Sequence, residues 1–142
     1  MAKVKFEKFT NATREKIFGI ATDYESFQTI LPEFFPSIRV ISVRPNTLLV
    51  EEHLKLVGKE LIIMAKHVTD VPKIHEIFIV GGDAKGTHIT EEYEQTPEGT
   101  RIMLTVDFKL KGSMRLARIF GKDKVENEFS NIMDKLILVA ET

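Results

Sequence analysis

The hydrophobic residues of this chain change their spacing once, and that change is the strongest constraint on its fold. From residue 38 to residue 110 they recur mainly at every second position, and after residue 114 they recur at every third or fourth. A period of two is typical of strands with one buried face, and the longer period is typical of an amphipathic helix. The sequence therefore predicts an α+β chain in which one long C-terminal helix covers an antiparallel sheet.

Six strands are predicted within the alternating region, separated by short turn signals. The predicted ranges are 38–43, 48–56, 61–71, 73–80, 87–94 and 101–110. Turns such as Arg44-Pro45-Asn46-Thr47 are typical of an antiparallel meander. The segment 3–10 also alternates, so the curved sheet is predicted to have six to seven strands.

Two short helices are predicted between the first and second strands. Asn11 or Thr13 is expected to cap a helix over residues 14–21, because a side-chain oxygen there accepts a hydrogen bond from a free amide of the first turn. Asp23 is expected to cap a second helix, which Pro32 ends.

The long helix is predicted to begin near Met114, with Gly121 interrupting it near its start. A glycine within a helix costs about 1 kcal/mol relative to alanine. The spacing from Phe129 through Val125 places Gly121 toward the sheet. We expect Gly121, with Phe120 and Met114, to form an adaptable portal, and a simple kink or a close backbone contact is the alternative.

Composition limits the kinds of protein that fit. The 142 residues suit one domain over residues 1–142, with 43% hydrophobic and 29% charged residues. The 20 basic and 21 acidic residues give a net charge of -1, so no nucleic-acid partner is expected. Without cysteine the chain has no disulfide or thiolate metal site.

The amino terminus is not expected to be a signal peptide, because Met1–Phe6 alternates polar and apolar residues. No apolar run approaches the ~20 residues that a membrane helix needs, so a cytoplasmic location without an integral membrane segment is predicted. The four histidines do not have the close helical spacing of a metal site, and neither a metal nor a cofactor is predicted.

A sheet that wraps one helix seldom fills the space between them, so we expect an apolar ligand cavity there. The candidate ligand-binding residues come from the inward faces of three strand regions and from the helix. They are Leu48, Val50, Glu52, Leu54, Ile63, His67, Leu104, Val106, Phe108, Gly121, Val125, Phe129 and Met133.

Two of these candidates are ionisable. His67 shares a strand face with Leu61 and Ile63, so it is a candidate polar anchor or general acid/base, unless it is simply exposed or hydrogen-bonded. Glu52 shares a face with apolar residues, where burial would raise its pKa, unless a bulge lets it reach water. Glu76 raises the same question, and Glu91 is expected on a solvated edge together with Glu92 and Glu94.

The segment Ala12–Phe18, followed by Asp23–Phe27 and Leu31-Pro32, resembles the opening of the START-like superfamily (SRPBCC, Bet v 1-like helix-grip fold). Within it, the chain is most similar to the polyketide cyclase and coenzyme-Q-binding branch. The order of elements agrees over essentially the whole chain. The resemblance implies a helix-grip fold and a hydrophobic small molecule as the partner.

Three functions follow as hypotheses. The first is binding or transport of a hydrophobic small molecule such as a lipid, a quinone or a polyketide. The second is an enzyme of the polyketide cyclase/aromatase type, which only the resemblance implies. The third is a protein-interaction domain with a collapsed cavity. The sequence identifies no catalytic residue, protein partner or oligomeric state.

Overall fold

The computed structural model describes residues 2–110 and 120–142. Within these residues, seven strands and three α-helices follow one another along the chain. The strands are β1 (Ala2–Thr10), β2 (Ser37–Arg44), β3 (Thr47–Leu56), β4 (Lys59–Asp70), β5 (Ile74–Gly82), β6 (His88–Thr96) and β7 (Gly99–Phe108). The helices are α1 (Arg14–Ala21), α2 (Phe27–Ile30) and α3 (Lys122–Ala140), with a 3-10 turn at Tyr24–Ser26.

The strands form one antiparallel, curved sheet in the order β1-β7-β6-β5-β4-β3-β2. Strands β2 to β6 each pair with the next strand in sequence, and β1 completes the sheet by pairing with β7. The register shifts between Val40 and Ser42 and again between Met64 and Ala65. Such bulges bend a strand and increase its twist, which helps the sheet to curve around α3.

The predicted α+β architecture is confirmed, and each predicted strand boundary lies within about two residues of the observed one. Thr13 caps α1 as expected, because its hydroxyl accepts from the Lys16 amide at 3.2 Å. The prediction for Asp23 is wrong. Its carboxylate accepts instead from the Ser26 hydroxyl at 2.7 Å and makes no capping bond to the backbone, and the chain begins this segment with a 3-10 turn.

Helix α3 packs one apolar face on the concave side of the sheet. The buried residues of this face are Val125, Phe129, Ile132, Met133, Leu136, Ile137 and Ala140. Gly121 is the N-cap residue with extended backbone (φ -64, ψ 163), so it precedes α3 rather than lying within it as predicted. The predicted start near Met114 lies outside the described residues.

The inner face of β7 packs beneath this helix, with Ile102, Leu104, Val106 and Phe108 all buried. Each large side chain buried in this way contributes about 1.5–3 kcal/mol relative to an exposed one.

Across the two described segments, no helix has both the length and the apolar character needed to cross a membrane.

Candidate functional site

A cavity of about 60 Å³ lies between the concave face of the sheet, α3 and the segment of short helices. One water molecule needs about 15 Å³ of such space, so the cavity has room for roughly four. Its wall is mostly apolar but includes four ionisable side chains. The lining residues are Ala21, Phe27, Phe35, Glu52, Leu54, Ile63, His67, His75, Ile77, Ile79, Ile89, Glu91, Phe129, Ile132 and Leu136.

The four ionisable residues come from four successive strands and form one hydrogen-bonded chain, which we call the Glu–His network (Glu52, His67, His75 and Glu91). Glu52 Oε2 lies 2.6 Å from His67 Nε2, and His67 Nδ1 lies 2.9 Å from His75 Nε2. His75 Nδ1 lies 2.9 Å from Glu91 Oε1. All four residues are buried, with between 1% and 7% of their surface exposed.

The register of the sheet explains how His67, His75 and Glu91 meet. Inward-facing side chains alternate along each strand, and residues opposite each other on neighbouring strands lie within contact distance. His75 stands directly opposite Glu91 in the β5–β6 pair. His67 stands opposite Ile77 in the β4–β5 pair, so it reaches His75 along the diagonal.

Two tyrosines complete the network. The Tyr24 ring lies over His67, with 4.0 Å between ring centroids, and its hydroxyl is 3.1 Å from His75 Nε2. The Tyr93 hydroxyl donates to Glu91 Oε1 at 2.6 Å. The 3-10 turn therefore positions Tyr24 above the network, while strand β6 supplies both Tyr93 and Glu91.

Burial and charge determine which groups are ionised. Burial raises the pKa of Glu91, but the charge of His75 and the hydrogen bonds from His75 and Tyr93 outweigh it, so the pKa of Glu91 lies below its ordinary value. Burial, and then the negative charge of Glu91, raise the pKa of Tyr24 and of Tyr93 well above the usual range. Glu91 is therefore an ionised acceptor, and both tyrosines keep their protons.

The contacts also determine the charge of the network. Each of its three internal contacts joins two nitrogen or oxygen atoms, and a hydrogen bond between such atoms needs one proton between them. The three contacts therefore share three protons. Two protons make both imidazoles neutral, and because Glu91 is ionised, the third proton lies on Glu52 or charges one histidine. The Glu–His network with these three protons has a net charge of one negative unit, wherever the third proton resides.

Five of the candidate residues from the sequence line the cavity, namely Glu52, Leu54, Ile63, His67 and Phe129. Other candidates are buried in the core around it, namely Val50, Leu104, Val106, Phe108, Val125 and Met133. Leu48 is partly buried against that core, and Gly121 is half-buried before α3. Phe120 packs on Phe108 with 5.6 Å between ring centroids, so a portal in this region stays a prediction.

The expectation that Glu91 lies on a solvated edge is wrong, since only 7% of its surface is exposed. Ile89 and Tyr93 alternate with it and are also buried, and this alternation was a signal that indicated the inward face. His75 has the same signal in Ile77 and Ile79. Strand β5 turns His75 inward, whereas its neighbour Glu76 lies on the outer face, 2.9 Å from His88.

The network does not have the geometry of a metal site. Its donor atoms meet in successive pairs rather than around one point. Within residues 2–110 and 120–142, no group of three or more His, Cys, Asp or Glu side chains is placed to hold a metal ion. The chemistry that this arrangement supports is hydrogen bonding and proton transfer.

No family model matches the sequence, and no curated protein matches it either. Solved structures match the fold. A protein of Thermus thermophilus has a TM-score of 0.78 at 20% identity, with 99% of each chain covered. The Zhui aromatase/cyclase of a Streptomyces species has a TM-score of 0.84 at 12% identity over 98% of this chain and 93% of that one. A START superfamily protein of Mycobacterium smegmatis has a TM-score of 0.81 at 11% identity over 99% and 98%.

These similarities show that the chain has the START-like helix-grip fold, as its sequence resemblance predicted. At such low identity they show the fold alone, since one fold supports many unrelated activities. The nearer likeness to the polyketide cyclase and coenzyme-Q-binding branch stays a prediction.

Proposed function

We propose that this protein binds a compact hydrophobic small molecule in the cavity beneath α3. The observation that carries the proposal is the cavity itself, which is mainly apolar and has a few converging polar groups in its wall. That combination is the usual composition of a small-molecule site, where apolar contacts supply affinity and the polar groups orient the ligand. The Zhui aromatase/cyclase, which shares the fold, offers an analogy with a protein that acts on a small molecule.

The volume of the cavity favours a small ligand. A space of about 60 Å³ accommodates only a few non-hydrogen atoms while its walls stay in place. A lipid, quinone or polyketide would require the aromatic side chains of Phe27, Phe35 and Phe129 to move apart. We therefore place the compact ligand first and these larger molecules second.

A pair of tryptophan substitutions on α3 tests this proposal. Ile132 lines the cavity and is buried, whereas Leu138 is 64% exposed on the same helix. Ile132→Trp should fill the cavity and abolish ligand retention, and Leu138→Trp should leave retention unchanged. Native mass spectrometry of protein purified from its own host measures the retained mass, and compact apolar alcohols titrated by NMR measure binding directly.

An equal retained mass in Ile132→Trp would contradict the location of the site. If wild-type protein retains nothing and binds no compact apolar alcohol or amine, the ligand-binding proposal is wrong and the alternative of a protein-interaction domain gains support.

The second candidate is an acid–base enzyme of the cyclase type, and the buried Glu–His network is the observation that favours it. Glu52 lines the cavity and can exchange a proton with a ligand, while His67 and His75 redistribute the charge. An enzyme would convert the retained compound in a pH-dependent reaction, and Glu52→Gln would stop the conversion. A pure binding protein would release the compound unchanged.

A further inference from the structure

We infer that the ligand of this cavity is a compact hydrophobic amine, bound as its ammonium cation to the carboxylate of Glu52. The inference rests on the proposed function, because it names the chemical class of the molecule that the cavity takes. It follows from the charge of the Glu–His network, from the carboxylate oxygens that face the cavity and from the composition of the cavity wall.

The first step concerns charge. With its three shared protons, the buried network has one net negative unit. Among the described residues of the wall, none is lysine or arginine, so no side chain there offsets this charge. A buried charge without a partner is strongly unfavourable, and a cationic ligand would provide the missing partner.

The second step concerns the carboxylate oxygens. Glu52 and Glu91 are both more than nine-tenths buried, and both line the cavity. Glu91 Oε1 has two hydrogen-bond partners, His75 and Tyr93, whereas Glu52 Oε2 has one, His67. No hydrogen bond from the described residues reaches the other oxygen of either carboxylate. With the third proton on a histidine, Glu52 is the carboxylate with fewer hydrogen-bond partners, and its Oε1 is the acceptor that we assign to the ammonium group.

The third step concerns the apolar wall. Phe27, Phe35 and Phe129 line the same cavity, and the rings of Phe27 and Phe35 pack with 5.1 Å between centroids. Apolar contact with such rings stabilises the alkyl part of a ligand, because it removes apolar surface from water. The wall therefore suits an alkyl ammonium group, with its charge toward Glu52 and its alkyl part among the aromatic and aliphatic side chains.

A pair of test compounds with the same shape and different charge decides the question. Isobutylamine is a cation at neutral pH, and isobutanol is its neutral counterpart; both are small enough for a cavity with space for about four waters. NMR titration of wild-type protein at pH ~7 measures both affinities. We expect isobutylamine to bind about tenfold tighter or more, since charge-assisted hydrogen bonds are roughly twice as strong as neutral ones.

Two matched variants locate the acceptor. Glu52→Gln removes the carboxylate charge with little change of shape and should reduce the affinity for isobutylamine about tenfold, with little effect on isobutanol. Glu76→Gln makes the same change in the outer-face pair with His88, at the same 2.9 Å separation as the His75–Glu91 contact, and should leave both affinities unchanged.

The outcomes separate this inference from the function on which it rests. If wild-type protein binds isobutanol as tightly as isobutylamine, the amine inference is overturned and the ligand-binding function stands. If wild-type protein binds neither compound and retains no ligand, the ligand-binding function itself is overturned. A preference for isobutylamine that persists in Glu52→Gln would overturn the assignment to Glu52. The wild-type comparison does not depend on the folding of any variant.

Discussion

At the scale of single residues, burial distinguishes two kinds of glutamate–histidine pair in this chain. His75–Glu91 and His88–Glu76 have the same 2.9 Å separation, but the side chains of the first pair are at most 10% exposed and those of the second at least 35% exposed. An exposed pair contributes about 0–1 kcal/mol, because water screens it. Removing one partner of a buried pair costs about 3–5 kcal/mol, because the other charge remains desolvated. We therefore expect the inner pair to be important for stability and the outer pair to be nearly neutral.

The tyrosines of the network predict a loss of stability at alkaline pH. Their pKa values are raised in the folded state, by burial first and then by the charge of Glu91, above the unfolded value of about 10. The unfolded state therefore loses these protons first. The stabilisation is present below pH ~10 and declines as the pH rises, by about 1.4 kcal/mol per pH unit for each tyrosine.

Urea unfolding between about pH 9 and pH 11 measures this decline. Tyr24 and Tyr93 are the two tyrosines of the chain, so the double variant Tyr24→Phe/Tyr93→Phe removes the whole contribution. Lysines also titrate in this range, and the difference in slope between the two proteins isolates the tyrosines. Equal slopes would show that the tyrosines are not shielded as the structure indicates.

The buried positions of Glu52 and His67 could be predicted from the sequence, because the alternation that indicates them lies within each strand. Alternation with Leu54 and Ile63 placed Glu52 and His67 on buried faces, and both are buried. Glu91 was misjudged because acidic residues surround it, although Ile89 and Tyr93 indicated the correct face. The pairing of His67 with His75 depends on the register between strands, which a single sequence does not specify.

At the scale of elements, the bulge in β4–β5 depends on a glycine. Val80 is the extra residue there, between the pairs Ala65–Ile79 and Met64–Gly81. Gly82 follows with a φ of +77, close to the Ile62 carbonyl, which accepts from the Asp83 amide at 2.9 Å. This close approach bends the two strands beside the cavity.

Alanine substitutions at two glycines with nearly the same φ would measure the cost of that close approach. Gly82 (φ +77) and Gly58 (φ +74) both have the left-handed conformation, but a Cβ at Gly82 would overlap the Ile62 carbonyl and a Cβ at Gly58 would meet open space. Gly58→Ala should cost about 1–2 kcal/mol from backbone strain alone. Gly82→Ala should cost roughly 1–3 kcal/mol more, from the overlap.

Chemical denaturation of the two variants gives the comparison. Equal losses would mean that the backbone near Ile62 relaxes freely. A larger loss for Gly58→Ala would contradict the structure at this bulge.

The elements themselves were well predicted because their signals are local. Alternation and turn residues place the strand boundaries, and Thr13 caps α1 through a bond to the third residue after it. Asp23 does not cap the helix, and its carboxylate accepts instead from the Ser26 hydroxyl at 2.7 Å. That competition between side-chain and backbone donors leaves no clear signal in sequence.

At the scale of the whole molecule, α3 is held to both ends of the sheet. Glu141, just after the helix, accepts from the Thr10 hydroxyl at 2.8 Å and thereby ties it to the end of β1. At the other side Glu128 accepts from the Val57 amide in the β3–β4 turn, and Lys135 pairs with Glu33. The hydrogen bond from Lys135 lowers the pKa of Glu33. These contacts fix the separation between helix and sheet, and so the height of the cavity.

The hydrogen bond from the Val57 amide to Glu128 predicts how firmly the β3–β4 turn is held beside α3. Val57 has a φ of +52, a strained conformation that the bond to Glu128 helps to hold. Glu128→Ala should release the turn, and the amide of Val57 should exchange with deuterium at least about tenfold faster, as expected for a loss of about 1.4 kcal/mol. Hydrogen-exchange mass spectrometry or NMR measures the rate.

Glu126→Ala serves as the matched control, because it removes the same side chain from another face of the same helix, and should leave the Val57 amide unchanged. If Glu128→Ala has no effect either, the turn is held by other contacts. The cavity volume could not be predicted from the sequence, because it depends on many contacts between residues that are distant along the chain.

The Glu–His network and the wall opposite it come from different parts of the chain. The network lies on β3 to β6, between residues 52 and 91, while the facing wall includes Phe129, Ile132 and Leu136 of α3. The ionisable part of the cavity wall and its helical part can therefore be altered separately. If the proposed function holds, substitutions confined to one helix would change the shape of the cavity in engineered libraries while the Glu–His network stays constant.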